Sequence, residues 1–195
     1  TTESHDPKVY GERMKKRRDE GFTWLKMDLG VDLVEKIPGC VTAPAGMTER
    51  SAAQTAHMFT GMEITEKGVA LMCDYVAQIR EMVGWEIPLA ADHFGHLGVN
   101  SCIRLGKGLE KYNLAWLEDM IPWTQTELWK QITNAVNIPT LTGEDIYLKE
   151  EFIKLVDARA VDMIHPDLAT AGGIPLTNLI VVLIGVALAL RNRRG

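Results

Sequence analysis

Apolar positions along this chain fall into two alternating rhythms. From Thr65 onward, Val69, Met72, Val76, Ile79 and Val83 are spaced 3, 4, 3 and 4 apart, which places them on one face of a helix. Short runs of continuous apolar character then alternate with further helical patterns. Ile87–Ala91 reads as a strand and Asn100–Tyr112 as a helix with Ile103 and Leu109 inward. Leu114–Leu117 reads as a strand, and Thr124-x-x-Glu127 as a capping box opening a helix that carries Leu128, Ile132 and Val136. Pro139–Gly143 is a strand, Leu148–Ala158 a helix and Val161–Ile164 a strand. Upstream, Asp6 as N-cap and Pro7 at the first helical position start a helix that stops at Gly21. Its run Lys15–Arg18 suits a solvated face, and Phe22–Asp28 follows as a strand. Continuous strands alternating with helices predict βαβ units, hence an α/β fold with a parallel sheet. Right-handed crossovers allow such units to wind into a barrel or open into a doubly wound sheet.

Two segments break the rhythm. Leu29–Ile64 is long and irregular, with glycines at 39, 46 and 61 and apolar Val41, Met47, Met58, Phe59 and Met62 that need cover. Loops of this length are usually functional, so it is expected to fold over a site as a lid carrying His57; the alternative is an excursion packed on the outer helices. The second is Leu179–Leu190, LIVVLIGVALAL, followed by RNRRG. Twelve apolar residues fall short of the ~20 that span a bilayer. A buried strand or short core helix, a truncated or frame-shifted gene end, and a membrane anchor all stay open, in that order of preference. Residues 1–174 are taken as the folded domain and 175–195 as a divergent apolar tail.

Composition narrows the class. The chain has 195 residues, 46% hydrophobic and 24% charged, a balance that excludes disorder and low-complexity repeats. Twenty-one basic against 26 acidic residues give −5, so no basic field favours nucleic acid. Cys40, Cys73 and Cys102 are few, odd in number and lack C-x-x-C spacing. They argue against a disulfide scaffold or zinc ribbon and fit a reducing compartment, the cytoplasm. Thr1–Asp6 is polar and no signal-peptide apolar core follows it.

Candidate chemistry sits at the strand ends. Asp92, Glu118 and Glu144 each close a strand, and they are 26 residues apart, from 92 to 118 to 144. Equal intervals predict equivalent places on neighbouring strands, so all three carboxylates would project from one C-terminal rim, where barrel active sites lie. Three like charges at one point need a cation, and hard oxygen ligands suit Mg²⁺.

Those acids lie in AADHFGH (Ala90–His96), WLEDM (Trp116–Met120) and TGEDIY (Thr142–Tyr147). With Lys26-Met27-Asp28 and HPDLATAGGI (His165–Ile174), they make the chain resemble the enolase superfamily. The likeness is greater to its mandelate racemase/muconate lactonizing enzyme branch, which contains many acid-sugar dehydratases. The resemblance implies a (β/α) TIM-type barrel with metal ligands Asp92, Glu118 and Glu144. It implies abstraction of the proton α to a carboxylate, with Mg²⁺ stabilising the enediolate. Lys26 matches the first lysine of the family's KxK pair, which neutralises the substrate carboxylate; Asp28 stands where the second, basic lysine would be. Asp167 matches the aspartate of a His–Asp dyad, but no histidine follows His165 to complete it. His93 and His96 beside Asp92 are expected to contact substrate, His96 as an acid. His165 faces either the rim with substrate or the barrel core. A whole barrel needs about 250 residues, so the chain is expected to be an incomplete barrel without the family's N-terminal capping domain and closing strands. The implied activity is dehydration of a small-molecule sugar acid. A racemase or epimerase of the same superfamily, or a non-catalytic fragment of such an enzyme, is the alternative. Homo-oligomerisation of the full-length protein stays open.

Overall fold

The computed structural model describes residues 5–42, 62–92 and 97–166. Five strands form one parallel sheet: β1 (Leu25–Asp28), β4 (Leu89–Asp92), β5 (Leu117–Glu118), β6 (Thr140–Thr142) and β7 (Met163–Ile164). Two further strands, β2 (Val41–Thr42) and β3 (Glu63–Ile64), pair antiparallel on their own. Helices α2 (Glu66–Val83), α3 (Val99–Leu109), α4 (Thr126–Ala135) and α5 (Lys149–Asp157) connect the sheet strands, and α1 (Pro7–Asp19) precedes them.

Sheet order decides between the two predicted topologies. The strands lie side by side in chain order, β1-β4-β5-β6-β7, and never reverse. With every crossover of the same hand, all connecting helices fall on one face of the sheet, and α1 to α4 pack successively on one another. A doubly wound sheet would reverse at a switch point and split its helices between two faces. The sheet is therefore an arc of a (β/α) barrel.

Alternation along the strands separates the two faces. Leu25, Met27, Leu89, Ala91 and Leu117 are buried beneath the helices. Lys26, Asp28, Ala90, Asp92, Trp116 and Glu118 take the intervening positions and point to the inside of the arc. The amphipathic face read on α2 is the buried one: Val69, Met72, Val76, Ile79 and Val83 all lie in the core. Thr65 caps this helix by accepting from the Gly68 amide at 3.2 Å. Asp6 caps α1 in the same way, accepting from Lys8 N at 2.9 Å.

Some boundaries differ from the sequence reading. β1 begins at Leu25 rather than Phe22, because the chain before it runs outside the sheet and leaves Phe22 and Trp24 exposed. The Thr124/Glu127 capping box does not form. Helix α4 starts one residue later, with Gln125 as an N-cap that makes no side-chain bond. What fixes that start is Trp129, fully buried, whose indole N–H donates to the Pro122 carbonyl at 3.0 Å. On α3 the inward residues are Cys102, Leu105 and Leu109, with Ile103 only half-buried. All three cysteines are free and buried. Residues 43–61 of the expected lid, which include His57, the loop carrying His93 and His96, and the chain from Asp167 through the apolar tail lie outside the described residues. No helix among the described residues is long and apolar enough to cross a membrane.

One buried cation sets where two strands begin. Arg80, 2% exposed, sends its guanidinium from α2 under the sheet. It donates to the carbonyls of Ile87 (3.0 Å), Tyr112 (3.1 Å), Asn113 (3.1 Å) and Gly84 (3.3 Å). These carbonyls lie in the approaches to β4 and β5, so Arg80 ties together the entries of the two strands that end in Asp92 and Glu118. Its five fixed donors satisfy buried carbonyls that would otherwise be costly to desolvate.

Gly68 supplies a test of this packing. Alanine in a helix interior is normally about 1 kcal/mol better than glycine. Here a Cβ would collide with the Cys40 carbonyl oxygen and lie 2.6 Å from Ile64 Cγ1. Overpacking of this kind costs about 1–3 kcal/mol. Gly68→Ala is therefore expected to lower stability by about 1–2 kcal/mol in urea unfolding, and a gain would show that the β2–β3 pair does not seat on α2.

Candidate active site

The site is built at the C-terminal rim of the arc. Parallel pairing aligns Asp28 with Asp92, and Asp92 with Glu118, so three acids stand in one row on adjacent strands. Glu144 does not join this row. Glu118 pairs with Leu141, and Glu144 lies three residues beyond, past the strand's last residue. The equal 26-residue spacing does not become equal register, because α4 is shorter than α3 and its trailing 3-10 turn. The next unit thus repeats after 23 residues, from 118 to 141. Glu144 instead reaches the rim from the loop after β6, which leaves the strand through Gly143 at φ +139. A side chain at that glycine would press against Phe152 and the His165 backbone.

Glu118 is the centre of the arrangement. Its side chain is 1% exposed and takes three hydrogen bonds. Lys26 Nζ donates to Oε1 at 3.0 Å, Trp116 Nε1–H donates to Oε2 at 2.8 Å, and His165 Nδ1 lies 3.2 Å from Oε1. Lys26 also pairs with Asp92 Oδ2 at 2.7 Å, so its ammonium bridges two neighbouring acids of the row. Two sets of potential ligands share Glu118. One is Asp92, Glu118 and Asp119; the other is Glu118, Glu144 and His165; in each, one donor atom per residue lies within 4.8 Å of the others. Asp28 lines a cleft of about 750 Å³ with Lys26, Asp92, Glu144 and Tyr10. Its backbone N–H donates to the buried Tyr10 hydroxyl at 2.9 Å, which fixes the end of β1.

The local fields follow from these contacts. Burial alone would raise the Glu118 pKa, but the hydrogen bonds from His165, Trp116 and Lys26 outweigh it and bring it down to about 2. For Lys26, burial works against the charge, and the two carboxylates more than compensate, so its pKa rises. His165 is raised by its bond to Glu118, against partial burial. Asp119 goes the other way for an acid: burial first, then the charges of Asp92, Glu118 and Glu144, push it up to about 6 despite its bond from Thr142.

Two of these residues were not singled out in the sequence. Asp119 follows Glu118 directly, and strand alternation would send it to the helix side. A left-handed backbone at Asp119 (φ 47) and a 2.5 Å bond from the Thr142 hydroxyl hold its carboxylate at the rim instead. The signal was the doubled acid in WLEDM. Trp116 precedes Glu118 by two and so shares its face, but its donation to a carboxylate has no mark in the sequence. Of the sequence-derived site residues, the structure brings Lys26, Asp28, Asp92, Glu118, Glu144 and His165 to this rim, with His165 on the inside beside Glu118. His93, His96 and Asp167 lie outside the described residues.

Comparison with known proteins fits this geometry. The family model described as enolase C-terminal domain-like matches residues 9–183. The chain belongs to that family. A D-galactonate dehydratase family member, RspA, from Cellvibrio japonicus is 28% identical over 165 residues, covering 84% of this chain and 40% of that protein. The D-xylonate dehydratase of Haloferax volcanii is 35% identical over 108 residues, 55% of this chain and 26% of that protein. A solved mandelate racemase/muconate lactonizing enzyme-like protein from Roseovarius sp. TM1035 superposes with a TM-score of 0.70 at 21% identity, covering 95% of this chain and 40% of that one. The chain thus spans about 40% of the length of the first of these curated relatives. The enolase-superfamily resemblance and the barrel arc both stand.

Acid sensitivity follows from Glu118. Its folded pKa lies below the ordinary 4.5, so its contribution to stability is present above that value and lost as pH falls towards about 2. In EDTA, wild type is expected to lose more stability between pH 5 and pH 3 than Glu118→Gln does, by urea unfolding at each pH. Equal losses would show that these hydrogen bonds do not hold Glu118 ionised.

Proposed function

We propose that this chain supplies the metal-binding arc of a Mg²⁺-dependent enolase-superfamily enzyme that dehydrates a sugar acid. The observation that carries the reading is Glu118, a buried carboxylate shared by two groups of potential ligands on the barrel rim, one all carboxylate and one with the His165 imidazole. The donor set fits a hard divalent cation: Asp92, Glu118, Asp119 and Glu144 offer carboxylate oxygens, and no thiolate is among them. Asp92, Glu118 and Glu144, the ligands the family motifs imply, would hold the ion, with Glu118 the member common to the separate groups of Asp92 and Glu144. Bound Mg²⁺ supplies positive charge beside a substrate carboxylate, where negative charge accumulates as the α-proton leaves.

The chain's own residues divide the remaining work. Lys26 carries a second positive charge at the same rim, and its raised pKa keeps it protonated at neutral pH, ready to neutralise a substrate carboxylate. Asp28 lines the same cleft, and standing where the family's basic lysine would be, it is assigned to the α-carbon side of a bound acid. His165, half-exposed and bonded to Glu118, is a proton carrier beside the row and is assigned to substrate contact. His93 and His96, beside Asp92 in the sequence, are assigned to substrate contact, with His96 as the acid for the departing hydroxide, and Asp167 keeps the dyad role implied by the family motif. Similarity to a D-galactonate dehydratase family member and a D-xylonate dehydratase supports a sugar acid as substrate.

Binding and chemistry are tested separately. The chain is expected to bind Mg²⁺ by calorimetry, with Glu118→Gln abolishing binding and Asp92→Asn or Glu144→Gln weakening it by roughly tenfold or more. Sugar acids incubated with the Mg²⁺-loaded protein in D₂O are expected to exchange the α-proton, followed by NMR, and to yield a keto acid. Exchange with inversion and no keto acid would mark a racemase or epimerase. Absence of Mg²⁺ binding would overturn the proposal.

A further inference from the structure

We infer that Trp116 is a positioning residue for Glu118, a neutral hydrogen-bond clamp that keeps the carboxylate aimed while a cation is bound. This rests on the reading of Glu118 as a metal ligand and adds a residue to it. A glutamate on a two-residue strand has three side-chain torsions, and the last of them, which turns the carboxylate plane, is soft. Something must fix that plane if the oxygens are to meet an ion in one geometry. Three donors reach Glu118, and they differ in how they tolerate an arriving cation. Lys26 is an ammonium, held at 3.0 Å, and its charge opposes that of a metal ion. His165 Nδ1 lies at 3.2 Å from the same oxygen, and an imidazole carries positive charge whenever it is protonated. Trp116 alone is uncharged and donor-only, and it holds the other oxygen, Oε2, with the shortest of the three bonds, 2.8 Å. One N–H fills one lone pair of Oε2 and leaves the second for a ligand bond.

The indole is itself held. Trp116 immediately precedes β5, and its carbonyl accepts from Ala91 N at 3.1 Å, so the extended chain reaches it and its side chain rises from the same face as Glu118. The ring stacks on Trp24 with centroids 5.6 Å apart and planes at 28°. A two-torsion side chain clamped by a second ring places its N–H with little loss of entropy. That is the arrangement by which outer groups orient a metal ligand, and their removal typically costs 10–100-fold in metal affinity. Trp24 is 55% exposed, and phenylalanine there keeps a ring against Trp116, so Trp24→Phe serves as the packing control.

The test uses the full chain, Mg²⁺ as the probe, and variants Trp116→Phe, Trp24→Phe and Glu118→Gln. In ¹H–¹⁵N spectra of indole-labelled protein, the signal lost in Trp116→Phe is expected to shift in Glu118→Gln and again when Mg²⁺ is added to wild type. Trp116→Phe is expected to weaken Mg²⁺ binding at least about tenfold, with its thermal transition within a few degrees of wild type, whereas Trp24→Phe changes the affinity less than about twofold. Wild-type affinity in Trp116→Phe, or an indole signal indifferent to Glu118→Gln, would overturn the clamp and leave the metal reading standing. Failure of wild type to bind Mg²⁺ would overturn both. If Trp116→Phe does not fold, the wild-type signal assigned through its contacts to the Trp24 ring carries the test, by its response to Mg²⁺ and to Glu118→Gln.

Discussion

Like charges in parallel register are the constraint around which this molecule is built. Parallel pairing places residues side by side on neighbouring strands, and at the rim it brings Asp28, Asp92 and Glu118 into one row. Such a row is unstable unless positive charge and hydrogen-bond donors are built into it. Lys26, one turn of the pleat below Asp28 on the same face, bridges Asp92 and Glu118. Trp116 and His165 complete the shell of Glu118, and its carboxylate stays ionised although almost wholly buried. Asp119, bonded by the Thr142 hydroxyl, is instead pushed up to about 6 by burial and by the neighbouring acids.

The frame beneath the row is stiff where the row needs it. Met27, Leu89, Ala91 and Leu117 anchor the strands beneath the helices, and they alternate with the functional positions. Arg80 joins the entries of β4 and β5 through four backbone carbonyls, so the two strands cannot easily shift relative to each other. A one-residue slip in a strand would turn Asp92 or Glu118 to the helix side. Scaffold and chemistry are therefore coupled through register.

Much of this was legible in the chain. The 3-and-4 spacing of α2, the N-caps Asp6 and Thr65, and the alternation of strands with helices each reflect local rules, and the structure follows them. The motifs around Asp92, Glu118 and Glu144 carried the family. Register was not legible. Equal spacing in sequence became equal register only between Asp92 and Glu118, because the length of each returning helix and turn decides where the next strand begins. The capping box at Thr124 failed for a similar reason: the buried indole of Trp129, bonded to Pro122, fixed the helix start through packing that no four-residue pattern encodes.

The amino-acid sequence by itself determined the element types, the parallel α/β class and which acids stand near strand ends, because these depend on periodicity and on neighbours a few residues away. Tertiary structure alone decided that the strands run in unbroken order, so that the sheet is a barrel arc rather than a doubly wound sheet. It also decided that Lys26 lies between two acids 66 and 92 residues downstream, that His165 turns to Glu118, and that Asp119 is held at the rim by Thr142. The physical reason is common to all of these. Hydrogen bonds and ion pairs between distant segments depend on how whole βα units stack, and the stacking is set by total buried surface rather than by any local pattern.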